Sequence, residues 1–262
     1  MAGTAVPDDR ELLVEAAEIA GEIALSGFGG DYAIEDKPGG QGPVTEIDLA
    51  VDRALRERLT AARPGYGWLS EETADGPERL RADRIFIVDP IDGTRAFIDG
   101  QKGWAVALAV VEAGRVTAAA VRLPARGETY AAALGHGATL DGVPLAPRAA
   151  PARLSEAEVL AARPTFEPEH WPGGVPEIRR TFRSSLAWRL CLVAAGRFDG
   201  MLTIRPSWEW DVAAGALIAA EAGRTVTDAM GAGLAFNAHT PRTPGIMAAD
   251  PRLHAHLLTR RR

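Results

Sequence analysis

Cysteine is nearly absent: Cys191 is the only one in the 262-residue chain. No intramolecular disulfide can form, and a reducing, cytoplasmic setting is expected. A basic surplus is also missing. The net charge is −6, so general nucleic-acid binding through a positive field is not expected, although a local basic patch is not excluded. No apolar run approaches the roughly 18 residues that a membrane span requires. The segment "MAGTAVPDDRELL" has no basic region ahead of an apolar core, so no signal peptide is expected. No internal repeat is visible.

What is present suits a soluble globular chain. Apolar residues make up 47% and charged residues 24%, enough for one large domain or two smaller units sharing a core. Residues 8–27 carry Leu13, Ala16, Ala17, Ala20, Ile23 and Ala24 at helical spacing. Asp8 with Glu11 resembles a capping box, and Gly29–Gly30 suit the stop. "EDKPGGQGPVTEID" reads as a loop. Thr45 then caps a second helix, with Ile47, Val51, Ala54 and Leu55 inward.

"GYGWLSEET" reads as a short strand leading into a loop, and "RIFIVDP" as a strand buried on both faces. Pro90 is expected to end that strand at Asp89. The following apolar segments, with turns at Glu112–Arg115, Gly135–Gly137 and Asp141–Gly142, read as an antiparallel meander. "APRAAPARLSE" marks a candidate boundary, giving units of 1–150 and 151–262. The second unit alternates. It has strands at "EVLAAR", "GMLTIR", "RTVTD" and "GIMAAD", and helices at "SSLAWRLCLVAAGR" and "WDVAAGALIAAEAG", with Gly223 just past the last helix.

The chemistry concentrates in "VDPIDGT". It sets Asp89 and Asp92 three residues apart at a strand end, before a turn in which Asp92 or Thr94 could cap a short helix. One reading is an Asx turn with exposed aspartates. The other is a divalent cation held between carboxylates that would otherwise repel, with hard oxygen donors favouring Mg²⁺. Free amides at the helix start would attract a phosphate. Glu71 and Glu72 in "SEE", and Asp211 in "WEWDVAAG", read singly as a solvated pair and a helix cap. Together with "VDPIDGT" they favour the cation.

In combination, "GWLSEET", "VDPIDGTRAF", "WDVAAGALIAAEAG" and "PVTEIDLAVDRAL" resemble the inositol monophosphatase family of metal-dependent, lithium-sensitive phosphatases, in order over almost the whole chain. The resemblance implies a layered αβαβα sandwich with metals between the two halves. It implies that Glu71, Asp89 and the carbonyl of Ile91 hold one Mg²⁺, and that Asp89, Asp92 and Asp211 hold a second. A weaker third ion would lie near Glu71, and Mn²⁺ is a possible substitute. It implies that Thr94 and Asp48 position the attacking water, that Glu71 shares in catalysis, and that Gly93 and Thr94 amides hold the phosphate beside Asp211. Glu72 is a ligand's neighbour, and the loop 36–43 would cover the third ion or be a plain linker. None of the five histidines lies in these segments, so a phosphohistidine route has no support. Cys191 falls inside a helix and reads as a core residue.

The leaving group is less determined. The family acts on inositol monophosphates, 3′(2′),5′-bisphosphate nucleotides, histidinol phosphate and sugar bisphosphates. Animal inositol monophosphatases place a sugar-binding glutamate seven residues before the last metal aspartate, and Ile204 stands there in this chain. "RPSWEWD" and "SSLAWRLCLVAAGRFD" resemble the bisphosphate nucleotidase branch. Arg205, with Arg183 as a further candidate, would face a second phosphate or else be a solvated cation. Trp208 and Trp210 would stack on adenine or pack in the core. Hence the expectation is a 3′(2′),5′-bisphosphate nucleotidase acting on a small phosphorylated metabolite, with inositol-1-monophosphatase or histidinol-phosphatase as alternatives. A homodimer is allowed, and a role as binding partner of transcription or RNA-processing factors is the reading from another class.

Overall fold

The computed structural model describes residues 8–37, 42–146 and 148–261. Two N-terminal helices come first, α1 (Asp9–Gly27) and α2 (Glu46–Ala62), flanking a small antiparallel hairpin of β1 (Ile34–Asp36) and β2 (Pro43–Thr45). Asp8 caps α1 by accepting from the Glu11 amide at 2.8 Å. Thr45 caps α2 in a reciprocal box, its hydroxyl accepting from Asp48 N while Asp48 Oδ2 accepts from Thr45 N.

A seven-stranded sheet follows: β3 (Gly67–Ser70), β4 (Arg84–Asp92), β5 (Ala105–Glu112), β6 (Arg115–Leu123), β7 (Glu128–Ala133), β8 (Ala138–Leu140) and β9 (Val143–Pro144), ordered as in the chain. Only the β3–β4 pair is parallel. The hairpin turns use left-handed residues, Ala113 with Gly114 and Asp141 with Gly142. Between β4 and β5 the chain makes α3 (Thr94–Ile98).

The second sheet has the order β11-β10-β12-β16-β14, built from β10 (Glu158–Leu160), β11 (Arg179–Thr181), β12 (Gly200–Thr203), β14 (Thr225–Thr227) and β16 (Ile246–Ala249). Its β10 pairs are parallel and its β16 pairs antiparallel. A two-stranded pair, β13 (Ser207–Trp208) with β15 (Arg242–Thr243), lies apart from it. The remaining helices are α4 (Leu186–Ala194), α5 (Glu209–Glu221) and α6 (Pro251–Arg261).

Residue alternation explains the layering. In β5, Val106, Leu108 and Val110 pack with α1 and α2, while Ala107, Ala109 and Val111 pack with α4 and α5. The second sheet does the same. Leu160, Met201 and Ala248 turn toward α4 and α5, whereas Val159, Leu202 and Ala249 turn toward Leu253 and Leu257 of α6. The result is helices, sheet, helices, sheet, helix. The strands of one sheet end at Pro144 and those of the next begin at Glu158, yet both sheets share the central helical layer. A Cβ on Gly215 would sit 2.6 Å from Leu190 Cβ, so glycine is what lets α4 and α5 approach this closely.

Three local expectations change. β4 does not stop at Asp89 but continues to Asp92. Its β3 partner ends at Ser70, opposite Val88, and the register with β5 shifts between Asp89 and Asp92. Pro90 is therefore tolerated where no continuous ladder needs its amide. Neither Asp92 nor Thr94 caps α3; the cap is Gly93, at φ +101°, with no side-chain bond. Helix α6 was not anticipated, although Asp250 before Pro251 is a start signal, accepting from Arg252 N at 2.9 Å. Of the loop 36–43, residues 38–41 lie outside the described residues.

Candidate active site

The parallel register of β3 and β4 builds the centre. Ser70 pairs with Val88, so Glu71 and Asp89 leave the two strand ends side by side, and the Glu71 amide donates to Val88 O at 3.2 Å. The first turn of α5 brings in Asp211. One carboxylate oxygen from each of Glu71, Asp89 and Asp211 lies within 4.8 Å of the others. Asp92 is not part of that trio. Its Oδ2 accepts from Ser185 Oγ at 2.6 Å and from the Ala187 amide at 2.7 Å, which ties the "DPIDGT" turn to the start of α4.

Asp48 is fully buried and reaches the same turn from α2. Thr94 Oγ1 lies 3.3 Å from Asp48 Oδ1 and 3.2 Å from the Ile91 carbonyl, two acceptors for a single hydroxyl proton. Thr45 donates to Asp48 through both its amide and its hydroxyl, fixing the carboxylate. Gly93 begins α3 in a left-handed conformation, and the first amides of a helix have no intrahelical acceptor.

Two supporting groups escaped sequence reasoning. Lys37, one of only two lysines in the chain, donates to Glu71 Oε1 at 2.7 Å and to Glu72 Oε1 at 2.6 Å. Glu72 is thereby joined to the site through a lysine. Asp52, buried one turn after Asp48, accepts from Ser70 Oγ at 2.5 Å and Thr73 Oγ1 at 2.6 Å, and so braces the Glu71–Glu72 turn. The only sequence signal for Asp52 was its i+4 spacing from Asp48 on an otherwise apolar face.

The donor set fits a divalent cation. Both Asp89 oxygens are buried and make no hydrogen bond to a described residue. An ionised carboxylate left so is costly, and a cation would compensate all three acids together. Without one, burial raises Asp89 well above the usual carboxylate range, reinforced by the charges of Glu71 and Asp92. Burial likewise raises Asp211, with Asp92 and Glu71 adding to it. Asp92 is pushed up to about 6 by burial, against the opposing bonds from Ser185 and Ala187. Glu72 is pushed up to about 7 by burial and by Glu71.

These shifts set a pH signature. The unfolded chain releases the Asp92 and Glu72 protons near pH 4, whereas the metal-free folded chain holds them toward pH 6–7, so the folded state binds more protons between those values. Metal-free stability should therefore fall as pH rises through that window. Thermal unfolding in chelator should show the melting temperature dropping from pH 5 to 7.5. The increase on adding millimolar Mg²⁺ should grow over the same range. A Mg²⁺ effect independent of pH would contradict a carboxylate-bound ion.

Glu71, Asp92 and Asp211 open onto a cleft of about 900 Å³. Arg189, Arg205 and Arg242 also line it. Arg205 does face the cleft, but its side chain is exposed and not buried. Arg183 is absent from the lining; its guanidinium packs over Trp188 and Phe198, at 5.9 and 5.6 Å from their ring centres. Trp208 and Trp210 stack on each other at 4.6 Å, and Arg242 lies 3.7 Å from the Trp208 ring centre. At such distances the two neighbours must take opposite faces of Trp208, so no face remains for an adenine.

Comparison with known proteins agrees with this geometry. A model of the inositol monophosphatase family matches residues 8–262. The chain is 37% identical to an inositol-1-monophosphatase of Rhizobium meliloti over 85% of its length and 86% of that protein. It is 31% identical to the Nus factor SuhB of Escherichia coli, covering 96% of this chain and 94% of that one. The structure of a Thermotoga maritima IMPase superposes with a TM-score of 0.83 at 28% identity, covering 97% and 96% of the two chains.

Proposed function

The chain belongs to the inositol monophosphatase family and is a metal-dependent phosphomonoesterase, and we propose that its substrate carries a second anionic group, as a 3′(2′),5′-bisphosphorylated nucleoside does. The supporting observation is the cleft itself, which is lined by Glu71, Asp92 and Asp211 and also by Arg189, Arg205 and Arg242. Ile204, in place of a sugar-binding acid, leaves a polyol without its hydrogen-bond acceptor.

In this reading Glu71, Asp89 and Asp211, with Asp92 and the Ile91 carbonyl, would hold Mg²⁺, for which Mn²⁺ could substitute. The chemistry supplied by bound divalent ions is charge neutralisation at the phosphate and acidification of the attacking water. The Thr94 hydroxyl and Asp48 orient that water, with Thr94 passing its own hydroxyl proton to the Asp48 carboxylate as it accepts one from the water. The Gly93 and Thr94 amides hold phosphate oxygens. Arg205 receives the distal phosphate. Arg189 stays protonated at neutral pH, although burial and then the nearby Arg205 charge lower it to about 10.

A phosphate-release panel tests the assignment. 3′-Phosphoadenosine 5′-phosphate should be preferred over inositol-1-phosphate, histidinol phosphate and fructose-1,6-bisphosphate. Because Arg205 is exposed, Arg205→Ala should cost about 1–1.5 kcal/mol, or roughly 5- to 12-fold in kcat/KM, for the bisphosphate. It should change inositol-1-phosphate turnover by less than about twofold. A wild-type preference for inositol-1-phosphate of tenfold or more would favour the activity named for the Rhizobium meliloti relative. A transcriptional binding role, suggested by the name of the Escherichia coli relative, would instead show as specific capture of RNA polymerase by the chain, with catalysis secondary.

A further inference from the structure

We propose that Phe182 is a stacking platform that gives this cleft selectivity for a leaving group that carries a planar nucleobase. The inference rests on the nucleotide reading above and adds the residue that would recognise the base. Phe182 is 50% exposed, and it lines the same cleft as the acids. A lone exposed aromatic is ordinary on a protein surface. This one differs in how it is held.

One face of the ring is covered by the Arg189 guanidinium, 4.4 Å from the ring centre. Arg189 is itself buried, and it donates to the carbonyls of Arg183 at 2.5 Å and Ser184 at 3.2 Å. A cation so anchored backs the ring and limits its tilt. The exposed surface must then be the face or edge turned away from Arg189.

The backbone beneath the ring is fixed to the catalytic turn. Ser184 Oγ donates to Gly103 O at 2.5 Å, and Ser185 Oγ donates to Asp92 Oδ2 at 2.6 Å. The ring therefore stands in a set position relative to the turn whose Gly93 and Thr94 amides would hold the phosphate end. Trp208, another aromatic in the cleft, has both faces occupied by Trp210 and Arg242. Phe182 is left to offer a π surface to a bound base.

Calorimetric titration with AMP and with ribose 5-phosphate, in the presence of Mg²⁺, isolates the base. Wild-type protein should bind AMP more tightly than ribose 5-phosphate. Phe182→Ala should weaken AMP by roughly 5- to 150-fold, the range for losing one base–aromatic stack, and leave ribose 5-phosphate unchanged. Phe182→Trp should restore the difference. Phe182→Leu keeps an apolar side chain without a π face, and it should behave like alanine even if the smaller side chain perturbs the loop. An AMP preference that survives in Phe182→Ala would overturn the platform while leaving the nucleotide reading intact. Equal wild-type binding of AMP and ribose 5-phosphate would also overturn it, and the phosphate-release panel would then decide the substrate independently.

Discussion

Asp89→Asn should lower turnover by several orders of magnitude while leaving the fold intact. Asparagine is nearly isosteric, so the buried end of β4 has no cavity to fill. In the metal-free state the substitution removes a carboxylate that burial and the neighbouring Glu71 and Asp92 charges already disfavour. The metal-free variant should therefore melt at the same temperature as wild type or higher. The cost falls on function. Both Asp89 oxygens are unpartnered among the described residues, and one of them lies within 4.8 Å of a carboxylate oxygen of Glu71 and of Asp211, a placement in which one carboxylate could serve two ions. A neutral amide weakens both, and a charge contribution of several kcal/mol to the transition state is lost. Each 1.36 kcal/mol is tenfold in rate, so a loss of about 10³-fold or more is expected. The Mg²⁺-dependent rise in melting temperature should shrink with it. Near-normal turnover with an unchanged metal optimum would remove Asp89 from the centre of the mechanism.

Thr94→Ala should reduce kcat by roughly 10²- to 10⁴-fold and barely move KM, the range for a positioned proton-transfer group. The hydroxyl is buried and sits between Asp48 Oδ1 at 3.3 Å and the Ile91 carbonyl at 3.2 Å. Asp48 cannot swing to compensate, because Thr45 holds its other oxygen through both the amide and the hydroxyl. Removing the Thr94 hydroxyl leaves the water without its orienting partner. That geometry matters most in the transition state, so the loss belongs in kcat. Thr94→Ser keeps the hydroxyl and should recover most of the activity. A normal kcat with a large rise in KM would make Thr94 a phosphate-binding residue instead.

Much of the fold was legible because it is written in short-range pattern. Thr45 and Asp48 announce the start of α2 by a box that closes over three residues. The alternation along β5 shows a sheet with both faces covered, and the turns at Ala113–Gly114 and Asp141–Gly142 announce hairpins. These features depend on neighbours within a few positions, so a single sequence carries them. The clustering of Glu71, Asp89 and Asp211 was to be expected for another reason: their motifs recur together in a known family, whereas the tie of Asp92 to Ser185 and Ala187 was not.

What the tertiary structure decided are the partners, because they come from distant parts of the chain. Lys37 meets Glu71 across 34 positions, and Asp92 meets Ser185 across 93. No local periodicity encodes either. The pairing of Glu71 with Asp89 follows from the β3–β4 register, which was chosen by packing of whole strands. Pro90 was misread because a proline's effect depends on whether its neighbour strand is still present. Arg183 and Arg205 have the same chemistry on paper. Only packing turns one onto Trp188 and Phe198 and the other into the cleft. Composition and motif determine which charges the chain owns. Long-range packing determines which of them remain free to meet a substrate.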